Sequence, residues 1–462
     1  MTQDTADTLP QHRMASSDNV RDVALATERL SSSSSTIGIL LDDNFDDWLK
    51  ALGVSLENFS KHMMGSWVFN YVDALQRAGI KPVVFCISSQ VKNVTRFTHA
   101  PTGVEIRVLP PTKLFQLVSR WLPSMQSGHG WHGAGKNCVN RMRGGIRWVV
   151  KSYLSTPLIV LLKEIRQAGC RSLLIQEYES ARFDICVLSC KFLGIGVIGT
   201  FTGGFPQAVA FRPFRSLALR LCDRLIICAR SESNRVLHQY NVPGRKLVQL
   251  QYPLDFSVWY PGNKERAREE LTIPEHAQVV IYHGEILLWT KGLDALLSAW
   301  EQITNDRPNS DLRLILLGTG ADAAHLAHLL KTRHFRGLHW VNQWIQERAL
   351  IQRYLSAADI YVFPSRSDAF GISIIEAIAC GLPVVASCVR GIPDIFPLGE
   401  QSGGVLIPPG EVPALVHALC RLLDDPALAR QVSRRARRQA ATSYSMETIG
   451  RQLGEVLLSG HQ

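Results

Sequence analysis

The stretch "SDAFGISIIEAIACGLPVVAS", residues 367–387, joins a polar loop to two apolar segments. Its apolar part predicts a buried helix over residues 374–379 and a short strand over residues 384–386. Two carboxylates, Asp368 and Glu376, stand in this otherwise core-like stretch. An acid beside a helix start is favourable in its own right, because it can cap the first turn. Helix capping and ligand binding are therefore the two interpretations of this stretch.

Apolar strand-like runs alternate with helical patterns along most of the chain. Strands are predicted at residues 36–41, 81–87, 172–176, 196–201, 224–228 and 246–250, and in a second series at 278–284, 312–318, 338–341, 360–364 and 383–387. Such alternation predicts parallel sheets that helices cover on both faces. "QYPLDFSVWYPG", residues 251–262, interrupts the series with two prolines and a glycine. We therefore predict two Rossmann-like, doubly wound α/β domains that face each other across a cleft.

Composition and the pattern together predict four regions. These are a disordered polar tail at 1–35, an amino-terminal domain at 36–252, a carboxyl-terminal domain at 253–440 and a terminal helix at 441–462 that packs back on the amino domain. The tail lacks the apolar core of a signal peptide, and no apolar run approaches the roughly 18 residues of a membrane span. Ten cysteines without a C-x-x-C pair indicate reduced thiols. We expect a cytoplasmic location, including the inner face of the membrane.

Much of the net charge of +10 is concentrated in a basic insertion at residues 107–151. No acid occurs between Glu105 and Glu164, and tryptophans are interleaved with the basic residues. Such a segment can bind anionic lipid or another polyanion, and a solvated loop is the alternative. No recognised nucleic-acid-binding module accompanies the charge, so we expect no nucleic-acid partner. The segment therefore favours peripheral association with an anionic membrane.

The loop "SRSDAFG", residues 365–371, lies between a predicted strand and a predicted helix. Gly371 permits close approach of a ligand to the backbone. The N–H groups of Ile372 and Ser373 at the helix start form an anion site. Glu376, about one turn further along, would repel a bare phosphate but can accept hydrogen bonds from hydroxyl groups. The loop therefore favours a ligand that carries both phosphate and sugar hydroxyls.

Two further strand-to-helix loops contain glycines. In "HGEILLWTKG", residues 283–292, Gly284 ends a strand and Lys291 stands beside a helix start, where an ammonium group suits phosphate. In "LLGTGAD", residues 316–322, Gly318 and Gly320 give only a weak signal, because such glycines often serve a tight turn. Three such loops in one domain make a phosphate ligand a stronger prediction than any one of them does.

The segment "PSRSDAFGISIIEAIACGLPVVAS" resembles the E-x7-E segment of the family-4 retaining glycosyltransferases of GT-B architecture. "KGLDALLSAW", "LSAADIYVFPSR" and "GIPDI" extend the resemblance, which runs more loosely into the amino domain. It implies an enzyme that moves a hexose from a nucleotide-diphosphate sugar to a lipid-linked or saccharide acceptor with retention, in polysaccharide or glycolipid synthesis. No D-x-D triplet occurs, so we expect neither a metal nor another cofactor.

The resemblance also implies roles for individual residues. Lys291 would hold the diphosphate, Glu376 the donor ribose, and Asp368 would accept sugar hydroxyls, with Asp368 and Lys291 as the catalytic pair. The remaining predicted contacts are Gly284, Gly320, Phe370, Gly371, Ile372 and Ser373 for the donor, Asn342 for the nucleobase, and Gly65 in the amino-domain glycine loop.

Three positions depart from the family pattern. Asp368 replaces the usual Glu and is shorter by about 1.5 Å. Glu285 stands where an arginine is common and cannot neutralise phosphate, which would cost a few kcal/mol of transition-state stabilisation unless another cation replaces it. Thr202 stands where a histidine is frequent. Asp368 and Glu285 motivate the alternative function, a non-catalytic partner subunit that binds nucleotide sugar.

Overall fold

The computed structural model describes residues 35–42, 45–63, 66–118, 150, 152–201, 212–368 and 370–459. Gly65, Thr202, most of the basic insertion at 107–151 and nearly all of the predicted tail lie outside these residues. In the described part of the chain, no helix combines the length and apolar character that a membrane span requires.

The first sheet has eight strands among the described residues, in the order β3-β4-β2-β1-β5-β6-β7-β8. They are β1 Thr36–Leu40, β2 Lys81–Ile87, β3 Thr95–Thr98, β4 Glu105–Leu109, β5 Cys170–Gln176, β6 Gly196–Thr200, β7 Arg224–Ile226 and β8 Leu247–Val248. All neighbours are parallel except β3 and β4, which are antiparallel. The helices of this part are α1 Phe45–Leu52, α2 Leu56–Lys61, α3 Ser66–Arg77, α4 Lys113–Val118, α5 Leu158–Gln167, α6 Ala181–Phe192, α7 Arg212–Leu221 and α8 Arg230–Tyr240.

The second sheet has six parallel strands in the order β11-β10-β9-β12-β13-β14. They are β9 Gln278–His283, β10 Leu312–Leu317, β11 Leu338–Val341, β12 Ile360–Phe363, β13 Val384–Ser387 and β14 Gly404–Ile407. The accompanying helices are α9 Lys264–Glu270, α10 Leu293–Asp306, α11 Ala323–Thr332, α12 Arg348–Ala357, α13 Ile372–Ala379, α14 Ile392–Ile395, α15 Val412–Asp424, α16 Pro426–Ser443 and α17 Met446–Leu458. The strand order reverses between β9 and β12, which is where doubly wound sheets bind their ligands.

Strand β12 shows why these runs are almost wholly apolar. All four of its residues are buried. Tyr361 and Phe363 contribute to one hydrophobic cluster, whereas Ile360 and Val362 contribute to another, because alternate side chains point to opposite faces of the sheet. The sheet is thus covered on both faces, and the predicted fold class, two Rossmann-like domains, is confirmed.

The chain passes twice between the two sheets. The first passage follows β8, and the second follows α16. The two passages touch, since Leu254 N donates to Tyr444 O at 2.8 Å. Helix α17 then lies against the first sheet, where Ser172 Oγ donates to Leu457 O at 2.6 Å. Gly450 allows close contact with α3, because a Cβ there would stand 2.3 Å from Ala74 O.

Strands β3, β4 and β14 are absent from the sequence-based prediction. Strand β3 alternates exposed and partly buried residues at the edge of the sheet, so it lacks a continuous apolar run. Strand β4 contains Arg107, which is buried and bound to acids on both sides of the insertion. The sequence places Arg107 in the basic insertion, but its buried charge does not contribute to a basic surface.

Candidate active site

The loops after β9 and β12 meet at the point where the strand order of the second sheet reverses. Thr290 O accepts hydrogen bonds from Arg366 N at 2.9 Å and from Ser365 Oγ at 3.0 Å. Gly292 makes this contact possible, since a Cβ at its left-handed φ of 67° would lie 1.9 Å from Pro364 O. The two loops therefore form one backbone-bonded unit at the carboxyl ends of neighbouring strands.

Lys291 and Asp368 form an ion pair across these two loops. Lys291 Nζ donates to Asp368 Oδ2 at 2.5 Å, and the side chains are 20% and 16% exposed. Burial disfavours the charge on each group, but the pairing outweighs it: the pKa of Lys291 is raised and the pKa of Asp368 is lowered. The nearby Glu285 carboxylate also raises the pKa of Lys291. Both partners are therefore ionised at neutral pH. Lys291, which is predicted to bind phosphate, stands beside Asp368, which is predicted to bind sugar hydroxyls.

Asp368 also organises the start of α13. Its Oδ1 accepts hydrogen bonds from Phe370 N at 3.2 Å and Gly371 N at 3.0 Å. The residue that caps the helix is Gly371, with a φ of 75° and no side chain to bond the first turn. The capping interpretation of the acid is thus incomplete, because Asp368 binds the amides before the helix. The N-cap residue thus makes no side-chain hydrogen bond to the first turn, which holds Ile372 and Ser373 and carries a partial positive charge.

Glu376 lies on α13 and is bound by a residue that the sequence did not single out for catalysis. His283 Nε2 lies 2.8 Å from Glu376 Oε2, and the two side chains are 9% and 7% exposed. His283 is the last residue of β9, so this contact spans the same strand pair as the contact between Lys291 and Asp368. From the sequence alone, His283 is interpreted as an ordinary residue at the end of a strand. Its contact with Glu376 becomes evident only from the strand order, in which β9 lies beside β12.

The glycines of the third loop allow backbones to approach one another. A Cβ at Gly318 would stand 1.9 Å from Gly284 O, and a Cβ at Gly320 would stand 2.7 Å from Ile286 O. Gly318 N also donates to Val341 O at 3.1 Å, beside the exposed Asn342 that follows β11. The loops after β9, β10 and β11 thus form one continuous edge, which carries the predicted donor contacts Gly284, Gly320 and Asn342.

Phe370 is buried, and its ring is turned toward the two passages of the chain between the sheets. It stacks on Tyr252 with ring centroids 5.8 Å apart and meets Tyr444 edge-on at 6.1 Å. A contact of Phe370 with a ligand would therefore use its backbone, as the sequence predicts. Gly65 lies outside the described residues.

Comparison with known proteins finds similarity in the second domain. Residues 277–425 match the family model "Glycosyl transferases group 1". The D-inositol 3-phosphate glycosyltransferase of Segniliparus rotundus is 29% identical over 288 residues, which are 62% of this chain and 55% of that protein. The chain spans about half the length of the curated relatives that it matches. The family match therefore lies within the second domain.

Solved structures identify the overall fold. A sucrose-phosphate synthase from Thermosynechococcus elongatus is similar with a TM-score of 0.65 at 19% identity, over 91% of this chain and 98% of that one. Anabaena Alr3699/HepE, solved in complex with UDP, gives a TM-score of 0.65 at 13% identity, over 92% and 100% of the two chains. This likeness confirms the GT-B fold.

Proposed function

We propose that this protein is a retaining hexosyltransferase that uses a nucleotide-diphosphate sugar as donor. The main support is that the loops after β9 and β12 bring Lys291, Asp368, Glu376 and the start of α13 together. This group lies where the strand order reverses, within the residues that match the group 1 glycosyltransferase model. The name of the Segniliparus relative supports glycosyl transfer, and the UDP bound to the Anabaena protein supports a sugar-nucleotide donor.

The diphosphate is assigned to Lys291 and the amino-terminal turn of α13. When the bond between the anomeric carbon and the diphosphate breaks, negative charge grows on the departing oxygen, and preorganised cations and N–H groups stabilise it. In this proposal Lys291 and these N–H groups also supply the positive charge that an arginine at the position of Glu285 would give. Asp368 keeps Lys291 charged and in place, and its remaining lone pairs accept hydroxyls of the hexose. Gly284 and Gly320 let the backbone approach the donor.

The nucleoside is assigned to the edge between Glu376 and Asn342. Strand β11 is two strands away from β9, and neighbouring strands lie about 4.8 Å apart, so Asn342 lies about 10 Å from the end of β9. That separation suits a base at Asn342 and a ribose whose hydroxyls bond Glu376, with the diphosphate at Lys291.

The acceptor is assigned to a lipid-borne or saccharide hydroxyl, as in glycolipid or polysaccharide synthesis. Helix α7 supports a membrane surface, since Phe214, Leu217 and Leu221 are 37%, 47% and 38% exposed on one helical face. Arg212 and Arg220 at the two ends of this helix are exposed too. Apolar side chains flanked by cations suit the headgroup region of an anionic bilayer.

A donor panel tests the transferase. We expect one of the UDP-, GDP- and ADP-hexoses to raise the melting temperature and to be consumed when membrane lipid extract is added. Lys291→Ala and Glu376→Ala should each abolish the shift, whereas Lys61→Ala, which removes an exposed pair with Glu57, should keep it. Normal donor binding in both site variants would remove these assignments. Binding without turnover would favour the non-catalytic partner subunit.

Vesicle flotation tests the membrane surface. We expect the protein to float with anionic vesicles at low salt and to lose this binding at high salt or with neutral vesicles. The double substitution Phe214→Ser/Leu217→Ser should abolish flotation, whereas Leu398→Ser, which changes an exposed leucine of the second domain, should not. Equal flotation of both variants would contradict the role of α7.

A further inference from the structure

The carboxylate of Glu376 contacts His283, the last residue of strand β9. His283 Nε2 and Glu376 Oε2 are 2.8 Å apart, and both side chains are more than nine-tenths buried. A buried carboxylate needs hydrogen-bond donors, and an imidazole N–H is one of the few neutral side-chain donors with fixed direction. The contact therefore restricts where the remaining lone pairs of Glu376 can point.

The imidazole ring is itself fixed by its surroundings. The ring of Tyr361, on the neighbouring strand β12, meets it edge-on with centroids 5.3 Å apart at 61°. Tyr361 Oη also donates to His283 O at 3.3 Å. Strands β9 and β12 thus fix the imidazole ring through contacts that do not involve Glu376.

Hydrogen-bond chemistry determines the direction of the contact. A carboxylate only accepts, so Nε2 carries the proton and donates to Glu376. In the neutral ring Nδ1 is then an acceptor, and it has no hydrogen-bond partner among the described residues. His283 is thus committed to Glu376 as a donor, and no competing bond from Nδ1 rotates the ring away.

We propose that His283 is a positioning residue that orients Glu376 toward the ribose hydroxyls of the donor. This inference rests on the proposed function, in which Glu376 binds the ribose. His283 stabilises nucleotide binding through those hydroxyls, because without this N–H donor the carboxylate is oriented less firmly and its charge-assisted hydrogen bonds weaken. Loss of the histidine weakens binding about tenfold, the size expected for one hydrogen bond to a charged group.

Paired nucleotides and paired substitutions test this. Wild type and variants are titrated by calorimetry with the nucleoside diphosphate that binds wild type among UDP, GDP and ADP, and with its 2′,3′-dideoxy analogue. His283→Leu should weaken the ribonucleotide about tenfold and leave the dideoxy analogue unchanged. His283→Gln, whose amide N–H reaches about as far as Nε2, should restore most of the difference.

The outcomes separate the two proposals. If wild type binds none of the three nucleotides, the proposed function fails before His283 is tested. If wild type binds and His283→Leu weakens both nucleotides equally, or neither, the positioning role is overturned. If His283→Leu does not fold, His283→Asn serves instead, because its shorter amide cannot reach Glu376 and should give the same selective loss.

Discussion

Trp48 of α1 and Trp344, just after β11, meet edge to face between the two domains, with ring centroids 6.3 Å apart and planes at 80°. Trp48 also packs on Phe59 at 6.4 Å within the first domain. Two residues earlier, Asp46 accepts hydrogen bonds from Ser88 Oγ at 2.6 Å and from the backbone of Ser89. The first domain thus places a fixed indole against the segment that follows the proposed nucleobase contact.

A double-mutant cycle on this pair should reveal coupling between the domains. Trp48→Ala, Trp344→Ala and the double variant should show a coupling of about 1 kcal/mol in urea unfolding, as aromatic pairs do beyond their buried area. The control cycle pairs Trp48 with Trp340, whose indole donates to Gly318 O inside the second domain. We expect additivity there, and additivity in the test cycle as well would show that the ring contact contributes nothing.

Gly292 should tolerate no side chain, for steric reasons. Gly292 and Gly79 both have left-handed backbones, with φ of 67° and 76°, but only Gly292 has a backbone oxygen where a Cβ would stand. Gly79→Ala should therefore cost about 1–2 kcal/mol in free energy of unfolding. Gly292→Ala should cost several kcal/mol more and abolish nucleotide binding, as measured by denaturation and calorimetry. Equal costs would mean that the loops after β9 and β12 separate easily.

The ion pair between Lys291 and Asp368 should stabilise the protein over a defined pH range. The lowered pKa of Asp368 means that its contribution is full above the ordinary carboxyl pKa and is lost as the pH falls through the lowered value. Lys291→Met leaves a buried carboxylate without its cation, which should cost about 3 kcal/mol at pH 7. Urea unfolding at pH 7 and at pH 3 should show this cost shrinking in acid. Lys61→Met, at an exposed pair that solvent screens, should show a much smaller pH-dependent difference.

His99 should make the first domain sensitive to mild acid. Its Nε2 donates to Met63 O at 3.0 Å, its Nδ1 accepts from Thr102 Oγ1 at 2.7 Å, and its ring stacks on Phe69 at 3.9 Å. Burial lowers the pKa of His99 to about 4. His99 is therefore protonated near pH 6.5 in the unfolded chain but only near pH 4 in the folded chain. The contribution of neutral His99 to the free energy of unfolding is thus fully present above pH 6.5 and falls between pH 6.5 and 4.

The His99 contribution can be isolated with one substitution. The loss across this interval should amount to roughly 3 kcal/mol, because folding lowers the pKa from 6.5 to about 4. His99→Gln should flatten the pH dependence of the free energy of unfolding between pH 4 and 6.5. His276→Gln is the control, since His276 is an exposed histidine, and its curve should follow wild type. An unchanged slope in His99→Gln would place the acid sensitivity elsewhere.

The long apolar runs made most of the fold predictable from sequence. Strand β2 has the predicted bounds, because a continuous buried apolar run follows its exposed first residue. Strand β11 also has the predicted bounds, although its residues are only partly buried or exposed. Strand β14 was missed because only three apolar residues stand between Gly404 and Pro408. Arg107 was assigned to a basic surface because one of its two acidic partners is distant in sequence: Glu164, 57 residues away, becomes its neighbour only in the folded protein.

The residues of the candidate site were easier to predict than their contacts. Lys291 and Glu376 follow from glycine-bearing loops and local helix starts, which the sequence shows directly. The contact between His283 and Glu376 depends on strand order, because residues 93 positions apart meet only when β9 and β12 are neighbours. No local pattern encodes that order.

Phe370 connects the loop after β12 to the two tyrosines, Tyr252 and Tyr444, on the passages of the chain between the domains. The chain crosses between the domains at these passages, so a rotation of one domain relative to the other would have to bend them. Such a rotation would also have to break the contact between Trp48 and Trp344. The backbone bonds between the loops after β9 and β12 would survive it, because both loops belong to the second domain.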